Sequence, residues 1–148
     1  MKISNNGINL IKSLEGLRLV AYKCSAGVWT IGYGHTGGVH RNLTITEETA
    51  NEYLKRDIIK FENHVNEYDK IYHFNQNEFD ALVSFAFNIG NIKQLTKNGT
   101  RTREQIAEKM LQYDKCNGKP LAGLTKRRQK EHDLFIKNVS RKTSKKEK

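Results

Sequence analysis

Apolar side chains first recur at Ile8, Ile11 and Leu14, which is one face of a helix. Asn5 or Asn6 can cap its start and Gly16 can stop it. Glu15 is then the last helical side chain, at the end where the helix dipole disfavours negative charge. Two short apolar runs follow, Leu17 to Tyr22 and Val28 to Tyr33, separated by Cys-Ser-Ala-Gly. They predict a β-hairpin whose loop is Ser25 to Gly27, with Gly27 in the left-handed turn position. In that register Tyr22 faces Thr30 and Cys24 faces Val28, and all four side chains share one face. Cys24 and Thr30 become diagonal neighbours about 7–8 Å apart at the backbone, with room for one water or sugar atom between them.

From Thr36 to Leu43 the chain is polar, and reads as a loop or a second, weaker hairpin. Thr46, Glu47 and Glu48 open a helix in which Ala50, Tyr53, Leu54, Asp57, Ile58, Phe61, Val65 and Tyr68 keep helical spacing. It is long enough to be a spine, and Tyr68 to Phe74 breaks the pattern. Asn75 with Glu78 makes a capping-box start for a helix that is apolar on most sides and that Gly90 ends. Lys93 to Thr100 reads as a polar loop. Thr102 with Gln105 opens the next helix, Asn117 to Pro120 is a turn, and Leu124 to Phe135 is a last helix with Thr125 as its cap.

The expected fold class is α+β. Residues 1–137 form one domain, with a small β-hairpin lobe over about 16–45, a linking helix over about 46–68 and a larger helical lobe over about 69–137. A cleft between the lobes is the expected binding site. Residues 138–148 carry Arg141, Lys142, Lys145, Lys146 and Lys148 against Glu147, and read as a disordered basic tail.

The net charge of +10 over 148 residues suits an anionic partner, and the tail is the natural point of contact with an anionic envelope surface. The basic excess gathers in the tail and last helix rather than on an aromatic-bearing strand surface, so no nucleic acid is expected. Two cysteines set no disulfide framework, and neither belongs to a Cys-x-x-Cys unit. His64 and His73 lack ligand spacing, and there is no phosphate-binding glycine loop, so no cofactor and no metal are expected. No apolar run exceeds four residues and the start lacks an apolar signal region. The expectation is a protein made in the cytoplasm.

Glu15, eight residues, Cys24, five residues and Thr30, followed by Thr-Ile-Gly-Tyr-Gly-His, resembles the catalytic signature of the phage-type lysozymes, the endolysins of glycoside hydrolase family 24. Glu-Gly-Leu-Arg-Leu from Glu15, Ala81 to Gly90, and Gly123 to Phe135 agree with the same family in the same order. The resemblance implies a lysozyme-like fold and cleavage of the β-1,4 bond between N-acetylmuramic acid and N-acetylglucosamine in peptidoglycan. It implies Glu15 as the acid and Cys24 with Thr30 on the water or nucleophile side. Cys replaces the commoner Asp of that pattern. A thiol with a pKa of about 8.5 is mostly neutral at pH 7, so Cys24 needs help to act as a thiolate, and Lys23 or Arg18 stands near enough in sequence to give it. Its part as base, nucleophile or polar support stays open, as does inversion or retention.

Tyr22, Tyr33, Thr36, Phe87 and Asn88 are expected sugar contacts, since aromatic faces and amides suit pyranose rings; core packing is the other reading of Phe87. His35 is expected to serve the fold, paired with an acid. Arg127 and Arg128 sit where the family carries basic residues; either one partners Glu15 or the acidic stem peptide, or both lie on a solvated helix face. The family further implies a monomer held in the host bacterial cytoplasm until a holin releases it to lyse the cell. A non-catalytic basic module for a wall polymer or nucleic acid is the rival from another class, and loss of binding with rising salt would mark it.

Overall fold

The computed structural model describes residues 1–137, so the basic tail expected over 138–148 lies outside the described residues. The chain forms helix α1 (Asn5–Glu15), strands β1 (Arg18–Lys23) and β2 (Trp29–Gly32), and helices α2 (Glu47–Tyr72), α3 (Gln76–Ile89), α4 (Lys93–Thr96) and α5 (Arg103–Met110). Strands β3 (Lys115–Cys116) and β4 (Lys119–Pro120) and helix α6 (Ala122–Ile136) complete it. These elements make two compact units. One is Asn9–Lys60; the other combines Met1–Ile8 with the chain from Phe61 onward.

In the Asn9–Lys60 unit, Ile11, Ile31, Tyr33, Ala50, Leu54 and Ile58 are the buried apolar set. The hairpin has the expected register, with Tyr22 opposite Thr30 and the Cys24 N–H donating to the Val28 carbonyl at 2.9 Å. Gly27 takes φ +79°, the left-handed conformation that the turn needs. After β2, Ile31 and His35 exchange two hydrogen bonds of 2.9 Å around the turn Gly32-Tyr33-Gly34. Residues 43–45 return along β1, where the Ala21 N–H donates to the Leu43 carbonyl and the Ile45 N–H to the Leu19 carbonyl. That pairing answers the open choice between loop and weak hairpin.

In the other unit, α3 is the buried centre: every residue from Glu78 to Ala86 is buried, and α6 packs along it. The Asn75–Glu78 capping box is formed, and Gly90 ends the helix. Asp80, wholly buried, ties down the first residues by accepting from the Ser4 N–H at 2.9 Å and from the Ser4 hydroxyl.

Three expectations need correction, and the turn expected at Asn117 to Pro120 is present as part of a hairpin. Helix α2 continues past Tyr68 to Tyr72 because Tyr72 is buried and its hydroxyl donates to the Arg101 carbonyl at 2.7 Å. It stops without Gly or Pro: His73 adopts φ +54° and Asp69 accepts the Phe74 N–H at 2.8 Å. The stretch from Lys93 holds the short helix α4, since Ile92 and Leu95 are buried and the Thr96 hydroxyl folds back on the Ile92 carbonyl. Asn117 and Gly118, both at positive φ, join β3 and β4 as a small hairpin. Thr125 is inside α6 rather than its cap; its hydroxyl donates to Asp114 at 2.8 Å.

His64 on α2 accepts the Ile92 N–H through Nε2 at 2.9 Å, so this nitrogen must be unprotonated. Burial is the main cause that holds the imidazole below its ordinary value; Lys93 adds to the effect and Glu67 opposes it. A depressed folded value means that this contribution is complete above about pH 6.5 and is lost as pH falls toward the folded value. Urea midpoints should therefore fall less between pH 7.5 and 5 in His64→Gln, whose amide can still accept, than in the unaltered protein. Equal slopes would show that His64 does not carry the acid sensitivity.

Candidate active site

Glu15 is half-buried at the last residue of α1, and Gly16 turns the chain away with φ +75° and an N–H bond to the Lys12 carbonyl. The Glu15 carboxylate lies against Gly34: a Cβ built there would stand 3.3 Å from Oε1. Gly34 also has φ +85°, so it serves the acid through both close approach and turn conformation. Sequence reasoning passed over Gly34 as a site residue, although the Gly-Tyr-Gly-His run contains it.

Across the hairpin, the N–H groups of Val28 and Ala26, followed by the Thr30 hydroxyl, hold the partly exposed Cys24 thiol below its ordinary value. These are hydrogen-bond donors to the thiolate form. The cations expected for this task are engaged elsewhere, Lys23 over the Trp29 ring at 5.5 Å and Arg18 over the Tyr22 ring at 4.3 Å. The Thr30 hydroxyl adds to this bias on the thiol. Thr30 is 4% exposed and its hydroxyl donates to the Val28 carbonyl at 2.9 Å. Its single proton can turn to the sulfur when the thiol ionises.

Removing that donor should be measurable. With Cys116→Ser in the background, Thr30→Val should raise the pH at which Cys24 becomes reactive toward iodoacetamide, because a donor to the thiolate is lost. An unchanged pH–rate curve would assign the depression to the backbone alone.

His35 has the acid partner expected of it. Nδ1 is 2.8 Å from Asp57 Oδ2, Nε2 is 2.8 Å from the Gly37 carbonyl, and the ring stacks on Tyr53 at 4.2 Å. Asp57 was legible only as a polar member of the α2 pattern. Of the expected sugar contacts in this unit, Tyr22 is partly exposed and Thr36 exposed. Tyr33 is 7% exposed beneath the Lys12 ammonium at 5.6 Å, so its ring is a packing surface rather than an open platform. Burial raises its hydroxyl pKa, with Glu47 adding to the shift.

In the other unit, Phe87 is half-buried and meets Phe61 edge to face at 5.5 Å, while Asn88 is exposed at the end of α3. The solvated-surface reading of Arg127 and Arg128 is wrong: they are 6% and 0% exposed. Both turn to Glu131, itself 0% exposed, at 3.1 Å from Arg127 Nε and 2.9 Å from Arg128 Nη1. The Ser84 hydroxyl donates to the same carboxylate at 2.6 Å, and Arg128 Nη2 donates to Asn88 Oδ1. Burial pushes the Glu131 carboxyl up, and the two guanidiniums pull it back. Ser84 and Glu131 were missed; the four-residue spacing of Arg127 and Glu131 was the available signal.

Among the described residues no three His, Cys, Asp or Glu side chains gather where they could hold a metal ion, and no helix is long and apolar enough to cross a membrane.

The profile of the family described as phage lysozyme matches residues 12–131. An endolysin of Bacillus phage B103 is 43% identical over 98% of the chain, and the match spans 59% of that longer protein. An endolysin of Acyrthosiphon pisum secondary endosymbiont phage 1 is 41% identical, with 91% of the chain and 98% of the relative covered. Among solved structures, the muramidase domain of SpmX from Asticaccaulis excentricus superposes with a TM-score of 0.80 at 38% identity, covering 93% of this chain and 99% of that one.

Proposed function

The chain belongs to the phage lysozyme family, and from that membership we propose that it is an endolysin with muramidase activity. It cuts the β-1,4 bond between N-acetylmuramic acid and N-acetylglucosamine, and so lyses the host cell. The observation that carries this reading is the make-up of the Asn9–Lys60 unit. One carboxylic acid ends a helix against a glycine turn, and one thiol on the adjoining hairpin is biased toward its anion by backbone N–H groups and the Thr30 hydroxyl. Hydrolysis of a glycoside needs an acid for the leaving oxygen and a base or nucleophile as its partner, and here the thiolate stands in the partner's role.

Glu15 gives its proton to the glycosidic oxygen as the bond from that oxygen to the anomeric carbon breaks, and positive charge develops on the sugar. The Cys24 thiolate supplies the negative partner, and the Thr30 hydroxyl orients it. A thiolate that takes a proton from the attacking water yields the inverted sugar, while one that bonds the anomeric carbon first yields retention. Proton NMR of the first-formed product distinguishes the two. Tyr22, Thr36, Phe87 and Asn88 contact the glycan, and the protein acts as a monomer that another protein releases to the wall.

The test is reductive labelling of purified peptidoglycan after digestion, with mass spectrometry of the labelled ends. New reducing ends on N-acetylmuramic acid are expected. Ends on N-acetylglucosamine would make the enzyme a glucosaminidase, and no new ends would remove the hydrolase reading altogether.

A further inference from the structure

We infer that Arg128 is a positioning residue: it turns the Asn88 carboxamide so that the NH2 group, not the oxygen, is presented to the substrate, where it selects a carbonyl or carboxylate oxygen. The inference rests on the muramidase reading and names the polarity of one of its contacts.

A guanidinium carries donors only. The Asn88 atom facing Arg128 Nη2 must therefore be Oδ1, and both amide protons of this exposed residue are left to point elsewhere. Arg128 is well suited to hold such an orientation. It is 0% exposed, pairs with Glu131 at 2.9 Å, and lies 5.0 Å from the Phe85 ring centre. Its Nε and Nη1 have no aligned acceptor among the described residues, so the bond to Asn88 is its directed one. Glu131 is held in turn by the Ser84 hydroxyl and Arg127 Nε. A buried ion pair contributes little net stability against apolar side chains of the same volume, so stability alone is a weak reason for this assembly. Fixing the face that an exposed amide shows is a job that an apolar core cannot do.

Acceptor oxygens on peptidoglycan come from the sugar acetamide carbonyl or from the stem peptide, and the two sources can be separated. The experiment measures kcat and KM on soluble glycan strands, intact and with their stem peptides removed by an amidase. Asn88→Asp keeps the oxygen toward Arg128 and replaces the NH2 with a second acceptor. It should raise KM about tenfold, the order expected for one lost hydrogen bond, with kcat within about twofold and an unfolding midpoint no lower than before. A penalty that persists on stripped strands assigns the acetamide, and one that vanishes assigns the stem; both support the inference. An unchanged KM on intact strands overturns it.

A double-mutant cycle tests Arg128 itself. Arg128→Lys should raise KM in the unaltered background and leave it unchanged in Asn88→Ala. An equal rise in both backgrounds would mean that Arg128 acts only through the general fold. If Arg128→Lys does not fold, the Asn88→Asp result decides alone. Should the unaltered protein release no reducing ends, the muramidase reading fails separately. Shifts of the Asn88 side-chain NH2 signals on adding glycan fragments then still report whether this donor meets an acceptor.

Discussion

Glu15→Gln lowers the release of new reducing ends from peptidoglycan by about a thousandfold, within the range of about 10²–10⁴ that a positioned general acid supplies. The substitution keeps the shape of the side chain and removes the proton it has to give. Glu15 ends α1 half-buried, and its Oε1 sits 3.3 Å from where a side chain on Gly34 would begin, so an isosteric amide is the change that this packing accommodates best. The variant should melt within a few degrees of the parent by circular dichroism, which separates chemistry from folding. A variant that kept a tenth of the activity would mean that another group protonates the leaving oxygen.

Glu131→Ala destabilises the fold by about 3–5 kcal/mol, the cost typical of breaking a buried ion pair from one side. The carboxylate is 0% exposed, as is Arg128, and the change removes the acceptor for the Ser84 hydroxyl as well. Desolvation then falls on a guanidinium with its counter-charge gone. Replacing Arg128 and Glu131 together with Met and Leu should recover much of this loss, because the penalty belongs to the stranded charge and not to the missing pair. Urea unfolding of both variants provides the check. A loss under about 1 kcal/mol in Glu131→Ala would show that Arg128 escapes to solvent or finds another acceptor.

How far the sequence could be read depended on where each cause is stored. The hairpin register was legible because a short loop with glycine at a left-handed position leaves few pairings for the flanking strands. The capping boxes at Asn75 and Thr102 were legible because each is complete within four consecutive residues. The end of α2 was not, since it is set by the Asp69 side chain and by contacts of Tyr72 with Arg101, 29 residues further on. The burial of Arg127 and Arg128 was not legible, and a solvated face stayed open as one reading, because their partners Ser84 and Asn88 sit about forty positions away on another helix. The bias on Cys24 comes first from backbone amides, which every residue but proline carries and which leave no signature in composition.

The division of the chain between its two units has a consequence for synthesis on the ribosome, where the N-terminal end emerges first. Residues Asn9–Lys60 are contiguous, so the unit bearing Glu15 and Cys24 has all its own material once Lys60 has left the exit tunnel. Met1–Ile8 belong to the other unit, and Ser4 bonds to Asp80, 76 positions later. Glu131, another buried acid of that unit, comes later still. Met1–Ile8 are therefore made before the Asn9–Lys60 unit and satisfied after it. A nascent chain that pauses after Lys60 would hold the acid and the thiol in place while its opening segment still waited for partners not yet translated.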